Sequence, residues 1–455
     1  MNVRHPLGLS AALAIAACFA TSVSAQQEFR ATLAGHAVLP AATFIAAPAD
    51  APEDLRISGK FTTGVRVEKA GSIEGQSAGR PTGISLPFAG QPIQGHSGIK
   101  RNADGSYWIL TDNGFGSKAN SPDSMLYLNR YDIDFKSGVM HRLQTVFLHD
   151  PDKKVPFRIV HEGTAKRYLT GSDFDTESFQ LAGGFLWIAD ELGPFLIKAD
   201  MNGKVLAVFD TLVDGKPVRS PDHPQVTTPG APGSAVAFQV RRSKGFEGMA
   251  SSKDGRKLYA MLEGALYDEA AKDFESVQGK QYLRVLEFDV ASEKWTGRHW
   301  KYVLDANHHA IGDFNMIDAN SGLVIERDNG EGTAEKACPE GKRAADCFHD
   351  VAKFKRVYRV EFDDSNAGGV MNKTGFIDLM KIQDPNKLAR KPLNGGVLTF
   401  PFFTIENVDV VDEHHIIVGN DNNLPFSSSR EPNRADDNEL VLLEVGDMLK
   451  PRPSR

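Results

Sequence analysis

Thiols are nearly absent from this chain, with three cysteines in 455 residues. Cys18 falls in an apolar N-terminal run, which leaves Cys338 and Cys347, nine positions apart in a loop. In an oxidising compartment that pair reads as a loop-stapling disulfide rather than as metal ligands. Excess positive charge is lacking too. The formal net charge is −7, which disfavours nucleic acid as a partner. Beyond the N-terminus no stretch approaches the roughly 18 apolar residues of a membrane span, so none is expected. Helical periodicity is scarce, the best candidate being a turn or two over 267–274. Walker loops, dinucleotide fingerprints and His-Glu-x-x-His are all missing, and nothing looks nucleotide-dependent. Gly75-Gln76-Ser77-Ala78-Gly79 matches G-x-S-x-G, but no apolar strand enters it and Arg80-Pro81-Thr82-Gly83 cannot open a helix. It reads as a surface loop and not as a nucleophile elbow.

What is present begins with an export signal. Arg4 precedes an apolar run over 7–20, and Val23-Ser24-Ala25 is a small-residue cleavage site before Gln26. Residues 1–25 therefore read as a signal peptide cleaved after Ala25, giving a periplasmic or secreted protein. Residues 26–60 are Ala- and Pro-rich, an irregular lead-in with one strand near 29–34. From there to about 450 the texture is short apolar runs punctuated by Gly, Pro, Asn and Asp, as in all-β repeat architectures.

The repeat is visible directly. Gly95-His96-Ser97-Gly98-Ile99 leads through Asp104-Gly105 to an apolar run and Asp112-Asn113-Gly114. Asp175-Thr176-Glu177 leads through Gly183-Gly184 to a strand ending Asp190-Glu191. Phe246-Glu247-Gly248 leads to Glu263-Gly264, Asp313-Phe314-Asn315 to Glu326-Arg327-Asp328-Asn329, and Ile405-Glu406-Asn407 to Asp421-Asn422. Aligning Ser97, Glu177, Glu247, Asn315 and Glu406 gives units of 68 to 91 residues, longer than common propeller repeats because of insertions. Outer strands over 125–131, 281–290 and 356–362 complete four-stranded blades. Five units are explicit. A sixth blade, formed by pairing the N-terminal strand with the last strand over 439–445, would close the ring and remove sheet edges. The expected fold is thus a six-bladed β-propeller over 61–450, with seven blades as the alternative.

In a propeller the inner strands line a central channel, and their ends converge on one face. Glu177, Glu247 and Glu406 recur at one register position. Asp112, Asn113, Asp190, Glu191, Asp328, Asn329, Asp421 and Asn422 recur at another. Oxygen ligands without thiolates suit Ca²⁺ or Mg²⁺, and Ca²⁺ accepts the looser shell. Asp, Asn and Gly are also turn residues, but strand-start glutamates have no turn role, and carboxylates crowding a channel repel unless a cation compensates. The candidate metal ligands are Glu177, Glu247, Glu406, Asp190, Glu191, Asp328 and Asp421. Arg327 is a candidate anion ligand or a counter-charge to the acids, with Asn113 and Asn422 as further substrate contacts. His96 and Asp112 are candidate proton carriers. His308-His309 and His414-His415 are weak ligand candidates, since adjacent strand residues face opposite ways.

Taken together, these phrases resemble the phytase-like family described as "esterase-like activity of phytase". Its pattern stands here as Gly95 to Ile99, Asp175 to Glu177, Asp190 to Pro194, Phe246 to Met249, Glu326 to Asp328 and Glu406 to Asn422. The resemblance covers about 80–445 and implies an exported propeller hydrolase with phosphate-ester activity and acidic, Ca²⁺-dependent sites. One departure is Glu406-Asn407 where Glu-Gly is usual, a bulkier neighbour expected to narrow the channel mouth. A phytate site also calls for several basic residues beside the metals, and Arg327 is the one placed there.

Three readings remain open at this point. The first is metal-assisted hydrolysis of phosphate esters, with Glu177, Glu247 and Glu406 holding the ion, Arg327 the anion, and His96 or Asp112 relaying protons. The second is a Ca²⁺-dependent carboxylesterase or lactonase, which calls for an apolar mouth from Phe115, Phe195, Phe402, Phe403 and Phe426. The third is a non-catalytic propeller with a structural ion. A monomer acting on a small anionic or ester substrate is expected.

Overall fold

The computed structural model describes residues 26–451; the export signal read over 1–25 lies outside them. Five four-stranded antiparallel blades surround one channel. Their inner strands are His96–Arg101, Thr176–Ala182, Phe246–Ser251, Ala310–Met316 and Ile405–Val410. Each packs on the next, and the fifth packs on the first.

The strands are apolar on both faces because each blade is covered on both sides. Five large apolar clusters result, one at every blade interface. Trp108 and Leu110 of blade 1 meet Phe179 and Ile188 of blade 2. Ile417 and Leu440 of blade 5 meet Ile99 and Tyr131 of blade 1. That last interface closes the ring at five, correcting the six blades expected from sequence. The pairing of N-terminal and final strands does form: Thr32–Leu39 lies antiparallel to Asn438–Glu444. However, it completes the fifth unit rather than adding another. Thr32–Leu39 therefore belongs to the ring, Gln27–Phe29 adds a parallel strand to blade 4, and Phe44–Ile45 and Ile57–Ser58 pair with short strands outside the blades.

The 267–274 segment is a small hairpin, not a helix. Tyr267–Asp268 pairs with Asp273–Phe274, the Asp268 carboxylate caps the turn amides of Ala270 and Ala271, and the two rings meet edge-on at 5.3 Å. The G-x-S-x-G stretch is likewise part of a hairpin, Ile73–Ser77 with Arg80–Leu86, and leads into no helix. Cys338 and Cys347 form a disulfide within the long insertion of blade 4. No helix among the described residues is long and apolar enough to cross a membrane.

The closing blade is pinned by a buried ionic knot. Glu439 accepts hydrogen bonds from Arg430 Nη2 at 2.6 Å and faces His36 Nε2 of the N-terminal strand at 3.2 Å. Burial alone would raise this carboxyl, but Arg430 and His36 outweigh it and hold it at about 2 against an ordinary 4.5. Such a depressed acid stabilises the fold above its unfolded value, and that contribution is lost as pH falls from about 4.5 to about 2. Glu439→Ala should cost about 3–5 kcal/mol, because it strands buried charges. Urea unfolding at pH 6 and pH 3 checks both points. The variant should lose less stability between the two pH values than the parent does.

Candidate functional site

Every inner strand carries a register irregularity near the same end. In blades 2, 3 and 5 the ladder skips one residue, passing from Thr176 to Ser178, Phe246 to Gly248 and Ile405 to Asn407. A β-bulge re-aims the extra side chain, and the residues re-aimed here are Glu177, Glu247 and Glu406. They belong to three blades, yet oxygen atoms of all three lie within 4.8 Å of one another. In blade 1 the equivalent is Ser97, whose hydroxyl donates to Glu406 Oε2 at 3.0 Å.

In blade 4 the irregularity falls between Ile311 and Phe314, so the equivalent is Gly312 and not Asn315 as the sequence alignment had it. A Cβ at Gly312 would stand 2.1 Å from the Ile405 carbonyl oxygen, so only glycine fits. Asn315 lies deeper in the channel, in a belt drawn from all five inner strands. Lys100 Nζ donates to Asn315 Oδ1 and Asp409 Oδ1, both at 2.9 Å. Gln180 Nε2 donates to Asn315 at 2.9 Å, and Ser251 donates to Gln180 Oε1 at 3.0 Å. Two of these bonds, Lys100–Asn315 and Gln180–Asn315, join non-adjacent blades and so cross the channel, while the other two link neighbouring blades.

A second ring stands at the ends of the second strands. Backbone pairing aligns Asp112, Glu191, Glu263, Arg327 and Asp421 across the five blades. Four carboxylates and one guanidinium thus occupy one register. Asp175, just before the bulge of blade 2, adds another carboxylate. Two further triads result, Asp175–Glu177–Glu191 and Glu191–Glu247–Glu263, each within 4.8 Å and each sharing members with the first.

Burial and mutual repulsion push these acids upward. Glu177, Glu191, Glu247 and Asp421 lie well above ordinary values, burial first and neighbouring carboxylates second. Asp175 and Glu406 are pushed up to about 7, and Asp112 to about 6, burial again leading. Two cations oppose the crowd. Arg327 Nη2 stands 3.5 Å from Glu406 Oε1, and Lys244 pairs with Glu263. Arg327 is 5% exposed, donates through Nη1 to Asn329 Oδ1 at 3.0 Å, and keeps its buried Nε without a hydrogen-bond partner. An all-oxygen donor set, acids raised by each other and too few counter-charges fit a hard divalent cation.

Several residues read as site members from sequence sit elsewhere. His96 occupies the slot that Phe246, Ile311 and Ile405 fill in other blades. It is wholly buried, its ring 6.2 Å from Tyr131, both nitrogens unpartnered, and burial drops it to about 3. It packs against Tyr131 and bonds to none of the mouth carboxylates. Asp190 lies one residue before the second ring and accepts from the Asp175 and Gly193 amides at 2.8 and 2.7 Å. Asp328 lies one residue after it, tied to Lys355 Nζ at 3.0 Å and to the Lys353 and Phe354 amides. Neither falls in a triad that can hold an ion. Asn113 grips Asp175 through its backbone amide and Nδ2, at 3.1 and 2.5 Å, and so positions a carboxylate of the site. Asn422 is buried between the Gly95 amide and the Asp436 carbonyl.

Asn407 does not narrow the mouth. It turns between blades, donating to the His96 carbonyl, and Gly419 opposite leaves it room. Of the five phenylalanines, Phe115, Phe195 and Phe402 are core; Phe403 and Phe426 remain 40% and 36% exposed. His309 packs on Phe354 and bonds Glu326, and His415 pairs with Asp412.

A five-bladed propeller with interlocking carboxylate triads at one channel mouth is therefore the class of this protein. The family described as "Phytase-like: Esterase-like activity of phytase" matches residues 91–424, both rings included, and the chain belongs to it. The chain is also 22% identical over 218 residues to an uncharacterized secreted protein of Arthroderma benhamiae, covering 43% of this chain and 42% of that one. The match thus spans less than half of the relative's length. Among solved structures, a periplasmic gluconolactonase of Pseudomonas aeruginosa is 14% identical, covering 86% of this chain and 99% of that one at a TM-score of 0.28. A luciferin-regenerating enzyme is 8% identical, covering 77% and 91% at 0.31. Neither superposition carries an activity over.

Proposed function

We propose that this protein is an exported, calcium-assisted hydrolase of phosphate esters, acting as a monomer in the periplasm or outside the cell. The observation that carries the reading is the set of three shared carboxylate triads flanked by Arg327 and Lys244. A scaffold ion would need one closed site; here the acids outnumber one ion's needs, and an unspent guanidinium nitrogen stands beside them.

Glu177, Glu247 and Glu406 would hold the ion, with Asp175, Glu191 and Glu263 extending the site. Bound there, Ca²⁺ supplies positive charge for a phosphoryl oxygen and acidity for a water. Arg327, whose Nη2 already stands beside Glu406, would offer its guanidinium to the phosphoryl group. Ser97 holds Glu406 in place. Asp112 keeps one oxygen occupied by Gln94 Nε2 and the Gly114 amide, at 3.1 and 2.7 Å. Raised to about 6 by burial, it can take the proton of the attacking water near neutral pH. Water adds at phosphorus, the ester P–O bond breaks, the leaving oxygen takes a proton from solvent as the alcohol departs, and Asp112 returns its own proton to solvent.

A carboxylester reading has the exposed rings of Phe403 and Phe426 in its favour. Hydrolysis of p-nitrophenyl phosphate, bis(p-nitrophenyl) phosphate and p-nitrophenyl butyrate, with Ca²⁺ and with chelator, decides. Calcium-dependent phosphate release is expected, and Arg327→Ala should raise KM by roughly 10–100-fold, the range of a charged hydrogen bond. Butyrate cleavage alone would replace the phosphate reading with the second one; no turnover on any ester would leave the acids a structural role.

A further inference from the structure

The geometry points to a substrate preference: we infer that Phe403 is a specificity residue, selecting phosphate esters whose alcohol is flat and apolar. This rests on the phosphate-ester reading of the same mouth. Phe403 stands three residues before Glu406, on the loop that enters the inner strand of blade 5. The Arg327 guanidinium lies over its ring, 5.3 Å from Cζ to centroid. Its backbone amide is anchored by Ser429 Oγ at 3.1 Å.

Neighbouring Phe402 shows what an aromatic does here for packing alone. It is fully buried, stacked edge-on with Phe400 at 4.7 Å in the blade 4–5 cluster. Phe403 departs from that pattern, with 40% of its surface open although apolar atoms gain from burial. An exposed ring fixed against a buried cation with a free donor joins two recognition elements. An anion paired with the Arg327 guanidinium brings whatever it is esterified to alongside the ring. A planar apolar group gains stacking there, whereas a polyol must give up its own hydration to lie against the ring. Phe426 adds a second open aromatic on the loop that follows Asp421.

The test separates binding from turnover. Calorimetry with Ca²⁺-loaded protein would compare phenylphosphonate with methylphosphonate, neither of which is hydrolysed. Alongside it, kcat and KM would be measured on p-nitrophenyl phosphate and glycerol 2-phosphate. The parent should bind the phenyl compound roughly tenfold more tightly, the upper end of an aromatic pair's contribution. Phe403→Ala should erase that difference and lower kcat/KM on the nitrophenyl ester about tenfold relative to kcat/KM on glycerol 2-phosphate. Phe403→Trp should restore the preference. Equal affinity of the parent for both phosphonates, or equal loss on both substrates in Phe403→Ala, overturns the inference even if phosphate esters are turned over. Phenyl-selective binding without turnover of any phosphate ester would uphold Phe403 and instead sink the hydrolase reading.

Discussion

Glu247→Gln should abolish calcium-dependent hydrolysis while leaving the propeller folded. Glu247 belongs to two of the three triads, reaching Glu177 and Glu406 on one side and Glu191 and Glu263 on the other. An amide matches the carboxylate in shape and retains one acceptor oxygen, but it removes the negative charge that both groupings share. Even changes outside a metal's direct ligands cost about 10–100-fold in affinity or activity, so loss of a shared ligand should exceed that in kcat/KM. Calcium titration of the same variant should show weakened binding. Asp190→Asn is the companion control: its carboxylate caps backbone amides and lies outside every triad, so its calcium affinity should stay near the parent's. If Glu247→Gln hydrolyses as the parent does, the ion is not where the triads lie.

The second large effect is one of stability, and its sign reverses with the ion. Without a cation, the acids at the mouth repel one another, which is the neighbour contribution to their raised values. Removing one charge should therefore stabilise the ion-free protein: Glu177→Gln should melt above the parent in chelator. In calcium the order inverts. An ion held only by the folded state stabilises by about 2.7 kcal/mol at a hundredfold over its Kd, and the variant forfeits most of that gain. Scanning calorimetry of both proteins, in chelator and in calcium, gives four melting temperatures whose order is the test. Magnesium at equal concentration should do less, since it demands a tighter octahedral shell than these loosely grouped carboxylates offer. Parallel shifts in the two proteins would mean that the triads bind no ion.

The ring was legible in the sequence because its apolar frame repeats: residues such as Phe246 and Met249, or Ile405 and Val408, bracket each bulge. The same frame contains Ile311 and Phe314, which would have placed Gly312, not Asn315, at the bulge of blade 4. The eye followed the polar residue instead. At the second ring, Asp-Glu, Asp-Asn and Arg-Asp doublets look alike as text. A β-strand turns alternate residues to opposite faces, so Glu191 lines the mouth while Asp190 binds backbone. Asp175 and Glu263 stood inside recognised phrases, but nothing local distinguishes a turn acid from a ligand. Lys244 comes from a loop whose course no periodicity describes. The blade count failed on a boundary: the N-terminal strand was paired with the right partner and credited to the wrong blade.

The belt of Lys100, Gln180, Ser251, Asn315 and Asp409 puts cross-channel hydrogen bonds beneath the carboxylates, a floor under the mouth. On the proposed hydrolase reading, substrate and released anion would share the one mouth that holds the triads, so product should compete with the next substrate. A well with a floor also admits only what projects into it. Such a site would trim exposed terminal groups from large molecules and leave bonds in the middle of a chain untouched.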